Sequence, residues 1–376
     1  MRVTTETAQL ALDTILQKPT RGIPSWLINP MQHSIIERIS GAPAGDYKRK
    51  PEQTYLAMLR AAGTCLLDQY IPENPLTMEE AGFEGDASKT ATAGAQKIVV
   101  DGIEIDSPEA VVEHLEKIEF PRLRQAVADF NEARLVQDIL AGEQALQDIL
   151  GPSILKSGYG FIVMPVLDYY RYGYEHYFMA YAHYPDVLEK HFLLQADYGI
   201  LHNRAAARTY AEGNLPPLYR LDQDMADSRG TLVNIKSLDK IWFPHFSRCL
   251  EPLLKTDVRL IWHCDGNLMQ MVPRLLEVGL RGFQGFQYED GMDYPKICAM
   301  KTRTGESLFI IAGVSVTRTL PFGSPADIQR EMTWLVDNGP RTGLVLGASS
   351  SITPGVPWAN IQTLIEGFQY YREHGR

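Results

Sequence analysis

Short runs of β-branched, aromatic and aliphatic residues, each closed by polar or turn residues, punctuate the chain at positions 23–28, 65–71, 161–166, 218–222, 259–263, 282–287, 308–312 and 344–348. This is a strand pattern. Several runs are apolar almost throughout, as expected of parallel strands covered on both faces. Between them the period changes to a helical one. Ser107-Pro108-Glu109 places a capping hydroxyl, a first-turn proline and an acid in the order that opens a helix. Ser324-Pro325 repeats the device before the apolar stripe Ile328, Met332, Leu335 and Val336. Residues 268–278 alternate at helical period and end on Gly279, a C-terminal cap residue. Residues 122–150 predict one or two amphipathic helices, and residues 186–211 another long one.

Strand–helix alternation with eight strands predicts an α/β fold, a (β/α)8 TIM barrel. The wide gap between the second and third strands assigns residues 73–155 to a capping insertion over the barrel mouth. Within it, residues 97–106 read as a hairpin about Asp101-Gly102. The whole chain, 1–376, is then one barrel domain with its cap. A doubly wound open sheet would want a glycine-rich phosphate loop after the first strand, and none is present.

Composition narrows the partners. The 376 residues carry 36 Lys and Arg against 46 Asp and Glu, a net charge of −10, which argues against an electrostatic nucleic-acid binder, the one basic run being the short Lys48-Arg49-Lys50. No apolar run approaches the roughly 18 residues that span a bilayer, and the polar N-terminus does not resemble a secretory signal. The four cysteines are scattered without a CxxC pair, as free thiols in a reducing compartment would be. A cytoplasmic location is expected. The spellings HExxH, GxSxG, GxxxxGK[ST] and GxGxxG are all missing, which disfavours zincins, α/β-hydrolases, P-loop enzymes and nucleotide-dependent dehydrogenases.

In a barrel, chemistry collects at the C-terminal strand ends. These ends nominate Asp168, Tyr169 and Tyr170; Asp222 and Asp224; His263, Cys264 and Asp265; Tyr288, Glu289 and Asp290; Ser315; and Ser349 to Ser351. Each has a plainer reading. A histidine closing an apolar strand is often structural, Asp224 and Asp227 could cap a helix, and a tyrosine-rich run is more often packing than a ligand wall. Cys264, next to His263, should face away from whatever His263 faces.

At these rim residues the sequence resembles the uroporphyrinogen decarboxylase superfamily, and its cobalamin-dependent methyltransferase branch more than the true decarboxylases. Residues 260–267 (LIWHCDGN) are similar to that family's H-x-C-G-N strand end, and 283–293 (FQGFQYEDGMD) to its glutamate-bearing loop. Residues 308–314, 320–324 and 346–357 follow in the family's order, with 224–230 (DMADSRG) and 173–175 (GYE) upstream. The resemblance implies a barrel with a deep mouth. True decarboxylases carry an arginine-rich loop after the first strand, whereas here residues 29–33 are NPMQH. The methyltransferase branch binds a metal, commonly zinc, through H-x-C and a late cysteine, beside a separate corrinoid protein. Here Asp265 stands at the first of those cysteines and the late one falls at about Ser350.

The resemblance therefore implies a methyltransferase that moves a methyl group from a small O- or N-methylated compound, such as an aryl methyl ether, to a corrinoid protein. His263, Asp265 and Asp224 are the expected catalytic residues. His263 and Asp265, with Glu289 or Asp224, would hold zinc or another divalent metal. Tyr169, Tyr170, Tyr288 and Ser350 are expected to line the substrate. Arg229 is expected as a carboxylate clamp, with a structural ion pair as its plainer reading. The alternatives are a metal-independent decarboxylase of a small acid, or a catalytically lapsed binding barrel. A homodimer is expected by analogy alone.

Overall fold

A computed structural model describes residues 5–27, 29–73 and 97–376. Eight parallel strands bear out the barrel. They are β1 (Ser25–Trp26), β2 (Leu66–Leu67), β3 (Leu155–Lys156), β4 (Leu218–Asp222), β5 (Arg259–His263), β6 (Gly282–Gln284), β7 (Phe309–Val314) and β8 (Leu344–Ala348). Six form one curled sheet in the order β1-β8-β7-β6-β5-β4, and β2 pairs with β3. Backbone bonds join the two sheets at both edges. Cys65 N donates to Ser25 O at 2.9 Å, and Gly158, just after β3, bridges to Tyr219 of β4.

Seven of the eight strands lie within or overlap the runs read from the sequence, and one does not. Residues 161–166 form no strand. Their amide groups are taken by side chains instead: Phe161 and Ile162 donate to the Tyr219 hydroxyl, Val163 to Asn203 Oδ1, and Val166 to Gln195 Oε1. With its donors satisfied in this way the segment has no need of a ladder. The barrel position belongs to Leu155–Lys156. A lysine hides this strand from a hydropathy reading, yet its ammonium is buried against both Glu143 oxygens at 3.0 Å.

The helices follow the expected signals. Residues 122–150 resolve into Phe120–Ala128 and α1 (Glu132–Leu150). Beyond β3 come α2 (Tyr169–Tyr172), α3 (Tyr174–His183) and the long α4 (Pro185–Gly213). Ser107 caps its helix by accepting from Ala110 N. Ser324 forms a full capping box with Asp327 at the head of α5 (Pro325–Asn338), and α6 (Trp358–His374) closes the chain.

The hairpin about Asp101-Gly102 forms as read, pairing Val99 with Glu104 and Val100 with Ile103. Residues 74–96, expected within the same insertion, lie outside the described residues. One ion network fastens the hairpin beside α2. Asp101 Oδ2 accepts from His114 Nε2, Arg122 Nη2 and Arg171 Nη2 at 2.7–2.9 Å, and Glu119 Oε2 accepts from both arginines. No described helix is long and apolar enough to cross a membrane.

Candidate active site

The site is built at the C-terminal ends of β4 and β5. Residues of a strand alternate faces, so Arg220 and Asp222 share one face of β4. Their partners across the pair are Ile261 and His263. Buried His263 (7% exposed) approaches the Gln284 carbonyl through Nδ1 at 3.3 Å. In the neutral ring, donation there selects the tautomer that leaves Nε2 with a lone pair. Gly285 makes this possible: it has φ +75°, and a Cβ there would lie 2.8 Å from His263 Nδ1.

Asp224, His263 and Asp265 form the one group of metal-ligating side chains among the described residues, with donor atoms all within 4.8 Å of one another. His263 Nε2 stands 4.0 Å from Asp265 Oδ1. Asp265 N donates to Asp224 Oδ1 at 2.9 Å, and Ser350 Oγ donates to Asp265 Oδ2 at 3.2 Å. Asp265 Oδ1 is buried without a hydrogen-bond partner. Burial, with the Asp224 charge adding, pushes the Asp265 carboxyl above the usual range against the His263 charge. An unpartnered buried carboxylate oxygen is costly, and a cation shared with His263 and Asp224 would relieve it. The residues fit a divalent metal: one imidazole and two carboxylates form a harder set than thiolates.

Several expected residues converge on this group. Buried Tyr169 donates to the Asp224 carbonyl at 2.7 Å, and exposed Tyr170 reaches Asp224 Oδ2 at 3.4 Å. Ser350 meets Asp265, so the two positions where the family pattern has cysteine are joined by a hydrogen bond. Cys264 is buried, its sulfur accepting from Met225 N and donating to the Asp265 carbonyl, and it is not part of the group.

Three others point elsewhere. Glu289, expected as a metal ligand, is not in the group; its Oε1 accepts from Ser315 and Thr317 just beyond β7, and its Oε2 is buried without a partner. Asp224 stands in its place. The Tyr288 hydroxyl lies within 2.6 Å of both Gly313 O and Glu331 Oε1, and its ring packs on Trp334 of α5. The side chain therefore wedges between strand and helix, where burial and the Glu331 charge raise its pKa far above normal. Arg229 folds back on Asp227 through Nε and Nη2 at 3.0 and 2.6 Å, with its side chain 89% exposed. The two-residue spacing in a tight hairpin (Ala226–Asp227 with Gly230–Thr231) makes that pair the shorter reach, and no clamp forms toward the site.

Sequence reasoning gave too little weight to the floor beside His263. Buried Arg220 binds Asp68 through Nε and Asp222 through Nη1, each at 2.6 Å. The Tyr159 hydroxyl also donates to Asp222 Oδ2, at 3.1 Å. Burial alone would raise the Asp222 pKa, but the His263 and Arg220 charges bring it below the usual carboxylate range. The available signal was the alternation that puts Arg220 and Asp222 on the face His263 shares.

Comparison with known proteins agrees with this picture. Residues 224–371 match the family model described as uroporphyrinogen decarboxylase (URO-D), a stretch that runs from Asp224 through both aspartates and His263. The superfamily resemblance is thus borne out over that part of the chain. Over its length the fold is similar to that of a methyltransferase from Methanosarcina mazei, with a TM-score of 0.57, 14% identity, and coverage of 98% of this chain and 99% of that one. No curated protein sequence matches significantly.

Proposed function

We propose that the protein is a metal-assisted methyltransferase that passes a methyl group from a small O- or N-methylated compound to a corrinoid protein. The observation that carries this reading is the Asp224–His263–Asp265 group at the strand ends of a barrel whose fold resembles a methanogen methyltransferase. It lies inside the segment that matches the URO-D model. Asp224, His263 and Asp265 would hold the metal, which when bound acts as a Lewis acid toward the heteroatom that carries the methyl group.

The chain's own residues prepare that chemistry. Gln284 orients the His263 ring, Ser350 and the Asp265 amide fix the two carboxylates, and the Tyr169 hydroxyl ties α2 to Asp224. Preorganised groups of this kind need no rearrangement at the moment of reaction. Tyr170 provides an aromatic wall on the open side. We read the hairpin and helices of residues 97–120 as the described part of a cap over this mouth, whose ion network with Arg171 holds the tyrosines of α2 in place. Acids dominate the mouth, which disfavours a carboxylate substrate and so the decarboxylase alternative.

The test is to supply methyl-labelled methoxy and N-methyl compounds, a divalent metal and a reduced corrinoid protein. Label recovered on the corrinoid supports the reading. Carbon dioxide released from an acid by metal-free protein, with no labelled corrinoid, overturns it.

A further inference from the structure

Resting on that reading, we propose that Asp222 determines specificity by accepting a hydrogen bond from an O–H or N–H group of the substrate. The ligands it selects are neutral or cationic methylated compounds that carry such a donor beside the methylated atom.

Asp222 Oδ2 takes both available donors, Arg220 Nη1 at 2.6 Å and the Tyr159 hydroxyl at 3.1 Å. Oδ1 accepts from no described residue, and the residue is exposed at the mouth while Arg220 and Leu221 before it are buried. A carboxylate held by one oxygen and open at the other is a fixed acceptor. Its holder cannot swing away, because Arg220 is itself pinned by Asp68 at 2.6 Å. A buried Asp68–Arg220 ion pair is a poor source of stability compared with apolar packing, so its usefulness here is positional.

Asp222 is also the register partner of His263. Adjacent strands lie about 4.8 Å apart, so one small molecule can touch both the His263 group and Asp222. Counting the charges, Asp68, Arg220 and Asp222 sum to −1, and the two carboxylates of the neighbouring group would be balanced by a divalent ion. The surplus is negative, which favours neutral or cationic ligands and opposes anions. Sites built to bond a polar hydrogen reject analogues lacking it much more strongly than apolar pockets reject a missing methyl.

The experiment is calorimetric binding to the zinc-loaded protein, with no turnover, of two matched pairs. These are 2-methoxyphenol against 1,2-dimethoxybenzene, and choline against its O-methyl ether, a pair whose quaternary nitrogen carries no N–H. In the pair that binds, the wild type is expected to prefer the hydroxyl-bearing member by about ten-fold or more, equivalent to about 1.4 kcal/mol. In Asp222→Asn, Arg220 and Tyr159 would keep the amide oxygen, turning the NH2 to the mouth. The preference should then invert toward the ether, with zinc affinity retained. A purely structural role for Asp222 would not invert it. If Asp222→Asn does not fold, Tyr159→Phe, which removes one of the two bonds, should cut the preference about three-fold. Binding without discrimination in the wild type, or unchanged discrimination in the variants, overturns the role of Asp222 alone. No binding by either pair to zinc-loaded protein overturns the methyl-donor reading with it.

Discussion

Two polar clusters stand near the same barrel mouth, and they differ in what they leave open. The cluster of Asp101, His114, Glu119, Arg122 and Arg171 closes on itself. Asp101 Oδ2 alone takes three donors, and together with two arginines and a second acid they form a compact net. The Asp224–His263–Asp265 group does not close. Its imidazole and nearest carboxylate remain 4.0 Å apart, and Asp265 Oδ1 has no partner although buried. Charge density alone would rank the two clusters alike. Unfinished hydrogen bonding separates them: the closed net fixes structure, whereas the unpartnered Asp265 Oδ1 stands beside an imidazole and a second carboxylate that could share a ligand with it.

The largest effect that would break this comparison is expected from His263→Ala. Methyl transfer should fall by at least roughly 100-fold, while the thermal unfolding temperature measured without metal changes little. Equal damage to both would make His263 a structural residue.

Asp168 gives the next effect, on stability. It faces Arg171, Glu119, Gln195 and the neutral buried His191, and burial, opposed by Arg171 and reinforced by Glu119, raises its pKa to about 7. In the unfolded chain its pKa is about 3.9. Below about pH 4 both states keep the proton. Between about 4 and 7 only the unfolded state has lost it, so the folded state loses stability as pH rises. Above about 7 both are ionised and the loss is complete. Asp168→Asn should remove this slope, so that the gap in unfolding free energy between variant and wild type widens in the variant's favour by a few kcal/mol from pH 4 to pH 8. A gap that stays constant with pH would contradict the assignment.

Ser350→Ala should weaken zinc binding by about ten-fold, the effect of losing one outer partner of a ligand, with unfolding of the metal-free protein unchanged. The smallest expected effect is that of Asp101→Ala. Opening the Asp101 net should lower the unfolding temperature modestly and leave zinc affinity as in the wild type. A large loss of zinc affinity in that variant would join the two clusters into one functional unit.

The barrel was largely legible in the chain because strands buried on both faces are written as uninterrupted apolar runs. Leu344–Ala348 and Arg259–His263 are recovered to the residue. The third strand was illegible for the opposite reason, since its lysine is buried only by virtue of Glu143, which lies thirteen positions earlier on α1. The site was legible where it sits on strand ends, at Asp224, His263, Asp265 and Ser350. The hydrogen-bond partners of the remaining candidates were not legible. Glu289 turns to Ser315, Tyr288 to the outer helix and Arg229 to Asp227, choices made by distances that sequence does not carry. Asp222 was nominated at its strand end but given no role, because its meaning depends on Arg220, and that arginine's on Asp68 just beyond β2.

The central claim is that Asp224, His263 and Asp265 form one divalent-metal site. Calorimetric titration of zinc into chelator-treated wild-type protein tests it most directly. The account predicts a single site of one zinc per chain that His263→Ala abolishes and Glu289→Gln leaves intact. Absence of saturable binding, or binding that survives His263→Ala and is lost in Glu289→Gln, would contradict it.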